Sequence, residues 1–160
     1  MSKITPFLWF DDQAEEAAKF YASIFKGSKI GKITRYDEAG AKATGMTKGA
    51  VMTIAFRLKG SSFTALNGGP HFKFTEAISF VVDCGTQKEV DHYWNKLTEG
   101  GQESQCGWLK DKYGLSWQIV PRILIKLLAD PRKSQRVMGA MLQMRKIDIA
   151  SLKRAAKEKN

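Results

Sequence analysis

Histidine and cysteine are scarce, with two of each in 160 residues. Zinc and related metals take imidazole, thiolate or carboxylate donors, usually three from the protein at a catalytic site. The shortage therefore argues against a transition-metal centre, and Cys84 and Cys106 stand in no metal-type spacing. No unbroken apolar run approaches the ~20 residues that span a bilayer, so no membrane partner is expected. A secretory leader is not expected either, because Asp11, Asp12, Glu15 and Glu16 follow the start almost at once. Two thiols without an export signal fit a reducing, cytoplasmic setting. Acids are thin in the tail: residues 122–160 hold eleven Lys and Arg against Asp130, Asp148 and Glu158, and carry most of the net charge of +10. That excess raises the question of nucleic acid. No nucleic-acid motif accompanies it, and the same segment has an apolar helical stripe. The basic residues therefore read as the solvated face of packed helices, and nucleic acid is not an expected partner. A basic interaction module through these C-terminal helices is the alternative.

What is present is an ordinary globular composition, 43% apolar and 26% charged, in a length that suits one domain with a sizeable core. Residues 4–10 have strand length and composition. Asp12, three residues before Glu15, makes a capping-box pattern. Ala14, Ala17, Ala18, Tyr21, Ile24 and Phe25 follow at helical spacing up to Gly27. Strands are expected over 30–36, 51–58 and 63–66, with a loop over 37–49. Asn67-Gly68-Gly69-Pro70 ends the series. The order then recurs. A strand over 77–82 precedes a capping box at 86–89 and a helix burying Val90, Tyr93, Trp94 and Leu97. Short strands over 103–106 and 107–110, a turn at 111–114 and a strand over 115–120 complete it. Residues 4–11 overlay 76–83, and 62–66 overlay 116–120. The expected architecture is α+β, two tandem β-α-β-β-β modules over 1–121 with halves of about 1–70 and 71–121. A helical extension over 122–160 is expected to pack on the same domain. In it, Asp130-Pro131 and Asp148 mark helix starts, and the residues after Arg154 are expected to fray.

Pro6-Phe7-Leu8-Trp9-Phe10, Leu66-Asn67-Gly68-Gly69-Pro70, Gly107-Trp108-Leu109-Lys110-Asp111 and the run from Gly114 to Pro121 carry a family resemblance. With the tail from Val137 through Asp148, they are similar to the PhnB-like branch of the vicinal-oxygen-chelate superfamily, often labelled 3-demethylubiquinone-9 3-methyltransferase domain. Glyoxalase I, extradiol dioxygenases and bleomycin or fosfomycin resistance proteins share that superfamily. The resemblance covers nearly the whole chain. It implies that the strands of both halves curl into a mixed-sheet cup, and that two chains pair as a homodimer. It also aligns the superfamily's metal-ligand positions with Thr5, Thr64, Ala77 and Gln118. Of these Gln118 alone could ligate, and weakly, so neither metal nor cofactor is expected. The methyltransferase label finds no support in the residues, because Asn67–Pro70 leads into a polar aromatic stretch and not into a helix that could cradle S-adenosylmethionine.

Strand alternation sends every second side chain to one face. With Leu8 and Phe10 under a helix, Phe7 and Trp9 face the cup, together with Thr64, Ser79 and Gln118. Asn67, Cys106 and Trp108 complete the expected ligand-binding set. Cys106, expected on a cup strand, and His71, just after the loop that closes the first half, are the candidates for catalysis. Each has a plainer reading, as a structural thiol and as rim packing. The expected function is binding of a small apolar or aromatic molecule without a metal. The alternative is a metal-independent enzyme acting in the same cup.

Overall fold

Alternating burial along the strands organises each of two compact units, Met1–Phe74 and Thr75–Asn160, in a computed structural model that describes residues 4–158. The first unit runs β1 (Phe7–Phe10), α1 (Ala14–Ile24), β2 (Lys29–Arg35), α2 (Glu38–Thr44), β3 (Val51–Leu58) and β4 (Ser61–Asn67). Its sheet has the order β1-β4-β3-β2, with β1 parallel to β4 and the other neighbours antiparallel. Leu8, Phe10, Ile54, Phe56, Phe63 and Ala65 are buried, as are Ala14, Ala17, Ala18, Tyr21 and Ile24 of α1. Three alanines on the buried stripe of α1 let it approach the sheet closely. Tyr21 stacks on Phe56 at 6.2 Å and Phe56 on Phe63 at 5.3 Å, which adds geometric specificity to the apolar burial.

The second unit repeats the pattern with β5 (Phe80–Cys84), α3 (Gln87–Thr98), β6 (Gln102–Glu103), β7 (Trp108–Lys110) and β8 (Ser116–Pro121). The order β5-β8-β7-β6 again places the first strand parallel to the last. Val82, Cys84, Leu109, Trp117 and Ile119 are buried with Val90, Tyr93, Trp94 and Leu97 of α3. The expected α+β pair of β-α-β-β-β modules, each with a mixed sheet, is therefore present. Three helices follow: α4 (Arg122–Leu128), α5 (Ser134–Met141) and α6 (Ile149–Lys157). Leu124, Val137, Ile147, Leu152 and Ala156 form a small core of their own. Gln87 of α3 ties this core down by donating to the Ile147 carbonyl at 3.0 Å and accepting the Ile149 amide at 2.8 Å. Among the described residues no helix is long and apolar enough to cross a membrane.

Several local expectations are corrected. The loop expected at 37–49 contains α2, started by Asp37 accepting from the Gly40 amide and ended by Gly45 in the left-handed region; the glycine at position 40 masked a short alanine-rich helix. Asp12 does not cap α1, whose flanking residue Gln13 makes no side-chain cap bond. Asp130 does not begin α5, since Pro131–Lys133 form turns before Ser134. The last helix continues past Arg154 to Lys157, and the expected fraying of residues 159–160 lies outside the described residues. β5 starts at Phe80, later than expected, and pairs Val81 with Gln118, whereas β1 pairs Phe7 with Thr64. Phe7 therefore corresponds to Val81 and not to Ser79. The overlay slips by two residues, which a period-2 pattern cannot detect because both faces survive the shift.

Candidate functional site

The face of the first sheet opposite α1 carries the odd-numbered residues of β1. Register aligns Phe7 with Thr64 and Ala55, and Trp9 with Leu66 and Thr53. Phe7 is 59% exposed and Trp9 half-buried, while Leu8 and Phe10 between them are buried. The expected parity of this strand is thus observed. A cavity of about 400 Å³ opens on this unit, lined by Thr5, Thr64 and Ser62 on the β1–β4 side, by Ala55 and Gly31, and by Lys29 and Arg57 across the β2–β3 ladder. The volume lies within the ~300–1,000 Å³ range of small-molecule sites.

Trp9 organises the loop after β4. Its indole N–H donates to the Gly69 carbonyl at 2.9 Å, and its ring meets Phe72 edge-on at 4.9 Å. The ring occupies the space that a Cβ on residue 68 would need, 2.2 Å away. Gly68 is therefore required by packing, a reason that the turn signal in the sequence did not reveal. Asn67 turns inward and is buried. Its Oδ1 accepts the Ala14 amide at 2.7 Å and its Nδ2 donates to the Val51 carbonyl at 3.0 Å. Both ends of the amide brace the fold. His71 is exposed, and its ring packs near Gly69.

In the second unit Val81, Gln118 and Trp108 share a row. Gln118 donates from Nε2 to the Ser79 hydroxyl at 2.9 Å. A second cavity, of about 170 Å³, is bounded by Trp108, Ser116, Lys110, Glu76, Glu103 and neighbouring polar residues. The Lys110–Glu76 ion pair stands there, and the Lys110 ammonium holds the Glu76 carboxyl below its ordinary value. Cys106 is not on a strand. It sits in the turn between β6 and β7 with φ of 57°, followed by Gly107 at 83°. Trp108 donates its amide to the Gln105 carbonyl at 3.0 Å across this turn. The two N–H groups of Cys106 and Gly107 point to the carbonyls of Met144 and Arg145, at 2.8 and 2.7 Å. Asp111, read as a turn residue, is that and more. Buried at 3% exposure, it accepts the Tyr113 and Leu115 amides and the Trp117 indole N–H at 2.9, 3.1 and 2.9 Å.

The donors do not fit a metal of the superfamily's type. The first unit offers Thr5 and Thr64. In the second, the corrected register replaces Ala77 by Ser79 opposite Gln118, and the two are bonded to each other. All are neutral oxygen or amide groups, which repay poorly the dehydration of a divalent cation. Among the described residues no group of three His, Cys, Asp or Glu side chains converges. S-adenosylmethionine fits no better, because Gly68-Gly69 is followed by turns and irregular chain up to β5 and not by a helix N-terminus.

A family model described as 3-demethylubiquinone-9 3-methyltransferase matches residues 2–120. The PhnB protein from Bacillus cereus is 39% identical, with a TM-score of 0.67 over 75% of this chain and 99% of that one. A protein from Pseudomonas aeruginosa is 16% identical, with a TM-score of 0.60 over 76% of this chain and 98% of its own. A glyoxalase/bleomycin resistance protein from Albidiferax ferrireducens is 13% identical, with a TM-score of 0.47 over 76% and 99%. No curated protein matches the chain. The family match stops at the end of β8, so helices α4–α6 lie outside it.

Proposed function

The chain belongs to the 3-demethylubiquinone-9 3-methyltransferase family, the PhnB-like branch with the glyoxalase/bleomycin resistance fold, and on that premise we propose that it binds a small apolar or aromatic molecule on its open sheet faces, without a metal. The cavity of about 400 Å³ on the first unit carries this reading. It combines an apolar floor with a few hydroxyls, the usual make-up of a site that selects by shape and orients by a small number of polar contacts. Thr64 lines this cavity, and Phe7 stands beside Thr64 in the register of the same sheet. Binding is favoured over catalysis because neither His71 nor Cys106 has a side-chain hydrogen bond to a base or acid among the described residues, and activation of a nucleophile needs one.

The same reading makes the protein a cytoplasmic homodimer. Exposed Phe7 and Ile30 on the first sheet, and Val81 on the second, are apolar side chains that association would cover.

Native mass spectrometry of freshly purified protein is the direct test. The expected result is a copurified organic ligand, displaced on changing Thr64 to Phe, in a dimer of the 17.9 kDa chain. Ligand retained by Thr64→Phe at wild-type occupancy would place it elsewhere.

A further inference from the structure

Lys29 and Arg57 face each other directly across the β2–β3 ladder, at the rim of the 400 Å³ cavity. Like charges directly opposite on neighbouring strands destabilise a sheet, and nothing local offsets this pair. Among the described residues neither cation has a carboxylate partner; Arg57 Nη2 donates to the Gly60 carbonyl at 3.0 Å. Some surface cations elsewhere are neutralised, Lys19 by Glu15, Arg122 by Asp83, Lys133 by Asp130 and Lys146 by Asp91; Lys29 and Arg57 are set apart by standing directly opposite each other at a cavity. The cavity is lined by two cations and three hydroxyl residues, Thr5, Ser62 and Thr64, and by no acid.

A lysine on an edge strand can serve simply to discourage strand pairing. That role accounts for Lys29 but not for Arg57, which lies on β3, between β2 and β4. Nor does it account for an acid-free lining. Resting on the proposal that this face binds a small molecule, we infer that the ligand is an organic anion, with an apolar or aromatic body against Ala55 and the neighbouring Gly31 and an anionic group between Lys29 and Arg57. The anion would relieve the like-charge contact and take the free N–H groups of the guanidinium in charge-assisted hydrogen bonds. The hydroxyls at the other end of the cavity would hold a polar substituent.

The test titrates the full-length, isotopically labelled chain with 1-naphthoate, its neutral amide 1-naphthamide and the cation 1-naphthylmethylamine, following the backbone amides of Ala55, Arg57, Ser62 and Thr64 by NMR. Naphthoate is expected to shift these amides with a Kd about tenfold below that of naphthamide, the scale of one charge-assisted contact. In the double variant Lys29→Gln/Arg57→Gln the advantage disappears, while naphthamide binding changes less than about twofold. Both side chains are exposed, and a dispersed spectrum confirms that the variant folds. Equal binding of naphthoate and naphthamide, or tighter binding of the amine, overturns the anion assignment and leaves small-molecule binding standing. The same holds if the naphthoate advantage survives the double substitution. Absence of shifts at these four amides with all three probes overturns both the anion assignment and the reading it rests on.

Discussion

Asn67, at the end of β4, caps a helix that begins 53 residues earlier: its Oδ1 accepts the Ala14 amide at 2.7 Å. Its Nδ2 donates to the Val51 carbonyl, so one buried amide joins the start of α1, the start of β3 and the end of β4. Replacing Asn67 by Ala removes a helix cap and leaves a carbonyl without its donor. Together these cost about 2–3 kcal/mol, read as a lower urea midpoint with unchanged m-value. A loss under about 0.5 kcal/mol would show that solvent replaces both bonds.

Gly68 and Gly139 are expected to respond oppositely to alanine. A Cβ at Gly68 would stand 2.2 Å from the Trp9 ring, whereas at Gly139, in α5, it would meet nothing within 4 Å. Gly68→Ala must displace the indole, break its bond to Gly69 and separate it from Phe72. Gly139→Ala gains helix propensity, about 0.5–1 kcal/mol. Thermal unfolding and the Trp9 indole N–H resonance distinguish the two. An unmoved Trp9 resonance in Gly68→Ala would contradict the packing described.

Which parts of this fold were legible in the sequence follows from the range of the interaction responsible. The faces of β1 and β5 were legible because Leu8, Phe10, Val82 and Cys84 alternate with less buried neighbours. The α3 start was legible because Thr86 and Glu89 cap locally, Thr86 Oγ1 accepting the Glu89 amide at 3.2 Å. The α1 cap was not, because its acceptor lies 53 residues away. Cys106 reads as a strand residue by composition. Its left-handed backbone comes from a turn locked to Met144 and Arg145, residues of an extension whose position no local pattern encodes. Of the candidate ligand residues, Phe7, Trp9 and Thr64 follow from strand parity. Lys29 and Arg57 were missed because their significance lies in cross-strand register, not in spacing along the chain.

Gln87 is expected to govern the docking of the C-terminal helices. Its side chain bonds Ile147 and Ile149 on one side and donates to Asp91 at 3.1 Å on the other. Gln87→Ala leaves a carbonyl and a helix N–H without these partners, at a cost of about 1–3 kcal/mol. Hydrogen exchange should accelerate through α6, while amides of the first sheet keep their protection. Uniform acceleration across the chain would mean that the extension does not open separately.

The same helices should loosen in acid. Asp148 caps α6 by accepting the Ser151 amide at 3.0 Å, and hydrogen bonding from Ser151 holds its carboxyl below its ordinary value. Asp91 is lowered by the Lys146 ammonium, 2.8 Å away, and by Gln87. A carboxyl with a depressed folded-state pKa contributes stability that is fully present above its unfolded value, about 4. That contribution disappears as pH falls through the folded value. Protection of α6 should therefore be flat from pH 7 to about 5 and decline below about 4. Asp148→Asn keeps an acceptor oxygen for the cap but removes the titration, so its decline should be shallower, with the remainder carried by Asp91. The ion pair of Asp91 with Lys146 is partly exposed and screened, so added salt should weaken its share and leave the cap's share in place. Identical acid profiles for wild type and the double variant Asp91→Asn/Asp148→Asn would assign the acid sensitivity of the extension to other groups.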